Sequence, residues 1–273
     1  MIELIKAFFF GIIEGITEWL PISSTGHMIL FDEFVKLSLS DAFKEMFLVV
    51  IQLGAILAVV ILFWKEIWPF TAPKKGFVKP DKISMWLKIV VACIPAAVLE
   101  LGFGDKIEEI FYNYQTVAIM LIVVGILFIL LENWNKNRQA SVTGIEEITY
   151  KNAFLIGIFQ LVAAVFPGTS RSGATILGGL ALGLSRTVAA EFTFYLAIPV
   201  MFGASFIKIL KFGIHFSVLE MEVLAVGMIT AFVVSVFVIK FLMSYIKKHD
   251  FKVFGWYRIV LGIVVLLYFL VFS

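Results

Sequence analysis

Two short segments of this sequence crowd hydroxyls, charges and an imidazole into otherwise apolar surroundings. The first reads Glu14-Gly15-Ile16-Thr17-Glu18-Trp19-Leu20-Pro21-Ile22-Ser23-Ser24-Thr25-Gly26-His27. Carboxylates four positions apart share one helix face. Two like charges on an apolar face need a cation or a catalytic task; the blander reading is a pair of solvated carboxylates at a wet helix end. Hard oxygen donors suit Mg²⁺ or Ca²⁺, so Glu14 and Glu18 are candidate ligands of a divalent cation. Beyond Pro21, a helix breaker, the hydroxyls of Ser23, Ser24 and Thr25 lie beside His27. Ser24 is a candidate nucleophile, and His27, three residues on, a candidate base for it or acid for a leaving group.

The second segment reads Pro167-Gly168-Thr169-Ser170-Arg171-Ser172-Gly173-Ala174-Thr175. Glycines let backbone N–H groups approach an anion, hydroxyls add donors, and a helix resuming near Ser172 offers its positive end. Arg171 supplies a planar fork that matches phosphate oxygens. Gly168, Thr169, Ser170, Arg171 and Ser172 are therefore candidate phosphate binders, with Ser23 and Thr25 as further donors from the first segment. One segment offers nucleophile, proton shuttle and metal ligands; the other offers an anion site. Elsewhere, Arg186 and Glu191 read as an ion pair, and Gln52 as a hydrogen-bond donor to a neighbouring hairpin. His215 and His249 lie in loop-like regions and receive no role. Cys93, the only cysteine, reads as a buried thiol and excludes intrachain disulfides and thiolate metal sites.

The elements that hold these segments must lie in a membrane. Hydrophobic residues make up 61% of the 273 positions and charged residues 15%, against about a quarter in soluble domains. Mean hydropathy is +1.02. A net charge of +2 gives no reason to expect nucleic acid as a partner. Six transmembrane helices are predicted, at about 46–64, 85–103, 115–132, 189–210, 222–242 and 255–272, with Trp64, Trp68, Trp86, Trp134 and Trp256 at their ends. A single early Lys6 precedes a short apolar run that Glu14 and Glu18 interrupt, and no small-residue cleavage site follows, so no cleaved signal peptide is expected.

The two chemistry-bearing stretches, about 5–30 and 152–184, are helical runs broken by polar loops. Non-helical backbone at membrane depth survives inside protein or beside a wet cavity, so each is expected to be a re-entrant helix-loop-helix hairpin. They also resemble each other. Gly11-Ile12-Ile13-Glu14 lies over Gly157-Ile158-Phe159-Gln160, and Leu20-Pro21-Ile22-Ser23-Ser24 over Phe166-Pro167-Gly168-Thr169-Ser170, at an ungapped offset of 146 residues. Each hairpin precedes three spans, an odd number that would invert the second half relative to the first. The expected fold class is thus an all-α integral membrane protein, one domain over 1–273, with inverted halves of about 1–140 and 150–273.

Lys65, Lys74, Lys75, Lys79, Lys82, Lys136, Arg138, Lys151, Lys240, Lys247, Lys248 and Lys252 fall on one side of this arrangement. Asp32, Glu33, Asp41, Glu45, Asp105, Glu108, Glu109 and Glu220 fall on the other, with both termini. The positive-inside rule makes the first side cytoplasmic, so the first hairpin would enter from outside and the second from the cytoplasm.

The segment from Glu14 to His27 resembles the first signature of the undecaprenyl-diphosphatase family of the bacitracin-resistance (BacA/UppP) type, and Phe166 to Gly173 resembles its second. Ile51 to Val60, Gly183-Leu184-Ser185-Arg186, Ala190-Glu191-Phe192 and Leu196-Ala197-Ile198-Pro199 also fit. The resemblance implies hydrolysis of undecaprenyl diphosphate to undecaprenyl phosphate and inorganic phosphate with a divalent cation. That reaction recycles the lipid carrier of peptidoglycan synthesis in the bacterial cytoplasmic membrane. It implies Glu14 and Glu18 as the acidic pair, Ser24 as nucleophile, His27 as general acid/base and Arg171 as phosphate ligand. The entry side of the first hairpin puts the expected pocket nearer the outer face, and a homodimer is left open as the assembly. The rival reading is a lipid flippase or transporter, which inverted halves by themselves favour.

Overall fold

The computed structural model describes residues 1–71, 78–213 and 215–272. Lys74 and Lys75 of the basic loops lie outside the described residues, as does the side chain of Asp105. Among the described residues the chain is helical, and its extended pairings are the isolated bridges Phe70–Val78 and Val142–Leu184. The first broken stretch forms α1 (Ile2–Thr17) and α2 (Ser24–Phe34), followed by α3 (Asp41–Leu62), the single turn α4 (Trp64–Ile67), α5 (Pro80–Phe111) and α6 (Tyr114–Asn135). The second forms α7 (Tyr150–Val165) and α8 (Arg171–Ala181), followed by α9 (Arg186–Phe212), α10 (Val218–Tyr245) and α11 (Lys252–Phe272).

Six helices are long and apolar enough to cross a membrane: α3, α5 over Pro80–Gly104, α6, α9, α10, and α11 to Val271. They are the six predicted spans. Their outward faces keep large apolar groups uncovered, among them Leu101 (78% exposed), Leu270 (72%) and Phe237 (69%), where a water-facing helix would carry charge. Polar residues at the starts satisfy the N–H groups that a helix leaves free. Ser40 accepts from the N–H of Phe43 and Asn113 from Thr116, while Ser217 and Glu220 form a reciprocal box. One boundary differs from expectation: residues 104–111, predicted as part of a loop, continue α5 to Phe111. The run carries charge but no helix breaker after Gly104, so the helix persists beyond the apolar segment until the cap at Asn113.

Packing between the two halves has a two-fold pattern. The first helix of the first half, α1, packs along α10, and its counterpart α7 packs along α5, the counterpart of α10. Two further seams, α3 with α9 and α6 with α11, pair a helix with its own counterpart, while α3 also packs along α10 far more extensively than α9 does along α5. The first seam pair depends on glycine. A Cβ on Gly11 would lie 2.6 Å from the Gly227 carbonyl oxygen, and one on Gly157 would lie 2.5 Å from that of Ala92. Both helices therefore meet their partners backbone to backbone, as close packing in lipid favours. The seams bring both broken stretches to the centre of the bundle, with α9, α6 and α11 around them.

Candidate active site

The two breaks are built alike. α1 ends at Thr17, and after Pro21 the chain reaches Ser23 with φ 74°; α7 ends at Val165, and the chain reaches Ser170 with φ 70°. They are the only non-glycine residues with positive φ among the described residues. Such a conformation costs about 1–3 kcal/mol and persists only where its surroundings enforce it. Each serine caps the helix that follows. Ser23 Oγ accepts from the Gly26 N–H at 3.3 Å, and Ser170 Oγ from the Gly173 N–H at 3.2 Å. The repeating unit is Ser-x-x-Gly, which pairs Ser23 with Ser170 and corrects the ungapped alignment. The second loop holds one residue more between proline and cap, so the offset becomes 147 and the counterpart of Ser24 is Arg171. Gly168, at φ 90°, takes up the extra residue, and a Cβ there would come 2.4 Å from the Val117 carbonyl oxygen.

Glu18 joins the two loops. Its Oε2 accepts from Ser24 Oγ at 2.9 Å, and its Oε1 from Arg171 Nη2 at 3.0 Å. Ser172 Oγ donates to the Glu18 backbone carbonyl at 3.1 Å, pinning the end of α1 to the start of α8. Arg171 is steered from behind, where Nη1 donates to the Thr193 carbonyl at 3.1 Å. Thr193 in turn donates to Thr175, which donates to the Arg171 carbonyl. The N–H groups of Ser24, Thr25, Arg171 and Ser172, which open α2 and α8, make no hydrogen bond among the described residues. Two helix N-termini, each offering free N–H groups, thus reach the same carboxylate, an arrangement suited to phosphate oxygens.

His27 takes a different position from the one its spacing suggests. Nδ1 lies 2.7 Å from the Ser23 carbonyl oxygen, and Nε2 lies 2.7 Å from the Tyr257 hydroxyl, with the two rings stacked at 5.6 Å. A carbonyl only accepts, so Nδ1 carries the hydrogen, and in the neutral ring Nε2 accepts from Tyr257. No hydrogen bond joins His27 to Ser24 among the described residues; Ser24 uses Glu18.

The sequence reading missed Arg258. It is fully buried in α11 and donates to the carbonyls of Pro21 (3.1 Å), Gly168 (2.7 Å) and Thr169 (2.8 Å), clasping both loops at once. A lone arginine inside the apolar run 252–272 was the available signal, since an ionisable group within a span is functional by default. Thr193 and Tyr257 had no such mark. Of the predicted binders, Gly168 and Thr169 present their carbonyls to Arg258, Ser23 and Ser170 cap the helices that follow, and Ser172 donates to the Glu18 carbonyl. Thr25 follows Ser24 in the first turn of α2. The pair expected between Arg186 and Glu191 is not formed. Arg186 bonds Glu132 instead, Nε to Oε1 at 2.9 Å, because the end of α6 lies across the start of α9 and buries Glu132 there. No hydrogen bond of Gln52 is found among the described residues.

Glu14 bears on the question of a cation. It is 1% exposed, and its Oε1 is buried without a hydrogen-bond partner. A buried carboxylate oxygen demands a positive or donating partner. Glu14 and Glu18 fit a divalent cation that completes its shell with water or phosphate oxygens, as Mg²⁺ does with one or two carboxylates. Among the described residues no cluster of three or more such side chains forms an all-protein cage.

The chain is similar to known proteins over nearly its whole length. Over 269 residues, 98% of this chain and 97% of the relative, the sequence is 65% identical to an undecaprenyl-diphosphatase of Desulfitobacterium hafniense. It is 63% identical over 270 residues, 99% of the chain and 98% of the relative, to undecaprenyl-diphosphatase 1 of Clostridium acetobutylicum. Identity to undecaprenyl-diphosphatase 1 of Clostridioides difficile is 54% over 269 residues, 98% of the chain and 97% of the relative. The family model described as bacitracin resistance protein BacA matches residues 7–264, which include both loops, Arg258 and every residue of the network above. The chain belongs to the BacA bacitracin resistance protein family.

Proposed function

We propose that this chain is a multi-pass membrane phosphatase that hydrolyses undecaprenyl diphosphate to undecaprenyl phosphate and inorganic phosphate. The observation that carries the reading is Glu18, bonded to Ser24 of one loop and Arg171 of the other. The names of the relatives supply the substrate. The lipid tail lies along the apolar outer faces of the spans, and the diphosphate enters between the loops. Arg171 and the free N–H groups of α2 and α8 bind its oxygens. Glu14 and Glu18 would hold a divalent cation, whose charge would offset that of the diphosphate.

Ser24 Oγ attacks the terminal phosphorus in line and passes its proton to Glu18. The bond from that phosphorus to the bridging oxygen breaks, and undecaprenyl phosphate leaves. We assign the proton on the leaving side to the His27–Tyr257 pair. Water then attacks the phosphoserine and gives its proton back to the His27–Tyr257 pair, the Ser24–phosphorus bond breaks, Glu18 returns its proton to Ser24 Oγ, and inorganic phosphate leaves. Catalysis of this kind is mainly positioning and electrostatic stabilisation.

The broken helices are re-entrant hairpins in this reading, the membrane is the bacterial cytoplasmic membrane, and the loops open toward its outer face. The support is the basic side marked by Lys136, Arg138, Lys247 and Lys248. A homodimer is compatible, and no step requires one. The two-fold packing of the halves favours a second reading, lipid transport. Phosphate release by the purified protein in detergent separates the two. A phosphatase turns over without a membrane barrier, and absence of release with divalent cation present would leave only transport.

A further inference from the structure

A cavity of about 560 Å³ lies apart from the loop pair, where the ends of α6 and α8 meet the start of α9 and the residues after α10. Its lining holds four cations, Lys136, Arg138, Arg186 and Lys247, and one acid, Glu132. Glu132 is 2% exposed and is taken up by Arg186 and the Phe251 N–H. That pair cancels one charge of each sign and leaves three cations, with no acid other than Glu132 among the lining residues.

The walls are fixed rather than loose. Ser141 and Val142 donate backbone N–H bonds to the Gly183 carbonyl at 2.9 and 3.2 Å, Ser185 returns one to Val142, and Asn135 holds the Leu180 carbonyl. Arg138 lies with its guanidinium carbon 3.6 Å from the centre of the Trp134 ring. Stacking occupies the flat face of the fork and leaves its N–H edge for an oxygen ligand. Tryptophan favours headgroup depth, so the mouth lies at the level of lipid phosphates on the basic side of the protein.

We infer that this cavity binds a phosphate group at a site separate from the active site. Its source is the headgroup of an anionic lipid or free inorganic phosphate; basic pockets between spans take up anionic headgroups by the same chemistry. The inference is independent of the reaction proposed above.

The test measures binding by the purified full-length protein. Retention of phosphatidylglycerol against phosphatidylcholine is read by native mass spectrometry, and binding of inorganic phosphate by calorimetry. The wild type is expected to retain phosphatidylglycerol preferentially. The double variant Lys136→Gln/Arg138→Gln should retain it roughly 25-fold less well, at about fivefold per cation. Lys247→Gln alone should lose about fivefold, which keeps the test available if the double variant folds poorly. Circular dichroism and phosphate release should be unchanged in both. Arg186 is left intact because its loss would strand buried Glu132. Binding of inorganic phosphate that falls in the same variants, without lipid preference, also supports the site and names the free ion as its source. Variants that bind both probes as the wild type does overturn the inference. So does an equal loss in Lys65→Gln, a basic residue outside the cavity, because diffuse surface charge would then suffice.

Discussion

The two loops share a backbone and differ in nearly every reactive side chain. Both carry a proline within the break, both hold a serine at positive φ, and both cap an 11-residue helix through Ser-x-x-Gly. At the first position of that helix one loop places Ser24 and the other Arg171, and each reaches Glu18. The preceding helices diverge as well: Glu14 faces Gln160 in the repeat, and Glu18 faces Ala164. A doubled scaffold thus presents two N-terminal helix ends to one point, and divergence gives one end a hydroxyl and the other a cation. Symmetry supplies the geometry, and its loss supplies the chemistry.

The largest effect should come from removing the atom that makes the first loop reactive. Ser24→Ala is expected to lower turnover by about 10⁴-fold or more, as loss of a nucleophile does. Hydrolysis within tenfold of wild type by purified Ser24→Ala, with Ser23 and Thr25 also replaced, would instead make water the attacking group. The second loop is tested by Arg171→Lys, which keeps charge and loses the fork. A fall of about 10²-fold is expected, the size of losing one preorganised donor, and near-normal turnover would end its role as phosphate clamp.

Glu14→Gln should raise the divalent cation needed for half-maximal activity by roughly tenfold; an unchanged titration curve would remove Glu14 from the metal site. Arg258→Met frees three loop carbonyls, and unpaired buried acceptors cost about 1–3 kcal/mol each. Lower thermal stability and a reduced kcat should appear together, with partial rescue of both in Arg258→Lys. The smallest effect belongs to the diverged partner of Glu14. Both polar atoms of Gln160 are buried without partners, so Gln160→Leu should leave activity within about threefold and raise stability by about 1 kcal/mol. A large loss of activity there would mean that the second half retains a polar task.

Much of this was legible in the sequence because lipid imposes a simple code. Each span had to be a long apolar run, and polar residues inside such runs had to mean something, which singled out Glu14, Glu18, Ser24 and Arg171. The register of the repeat was not legible. Matching Ser24 to Ser170 maximises identity, whereas the backbone matches by capping geometry, and one inserted residue in the second loop absorbs the difference at Gly168. Partner choice was equally hidden. Arg186 stands one turn and a residue before Glu191, yet the end of α6 delivers Glu132 from 54 residues away. The same holds for His27, whose sequence distance to Ser24 says nothing of Tyr257, 230 residues downstream. Local spacing identified reactive residues; only tertiary packing decided which of them touch.

The seams at Gly11 and Gly157 carry a mechanical consequence. Each half lends its leading helix to the other, and at Gly11 and Gly157 each junction closes on its partner's backbone, with Thr230 and Val234 of α10 packed beside the first. The halves are interlocked like clasped hands rather than opposed like jaws. Rocking one half past the other would have to tear both junctions open in the same stroke. The frame around the loops is therefore suited to staying still while a lipid headgroup enters, reacts and leaves.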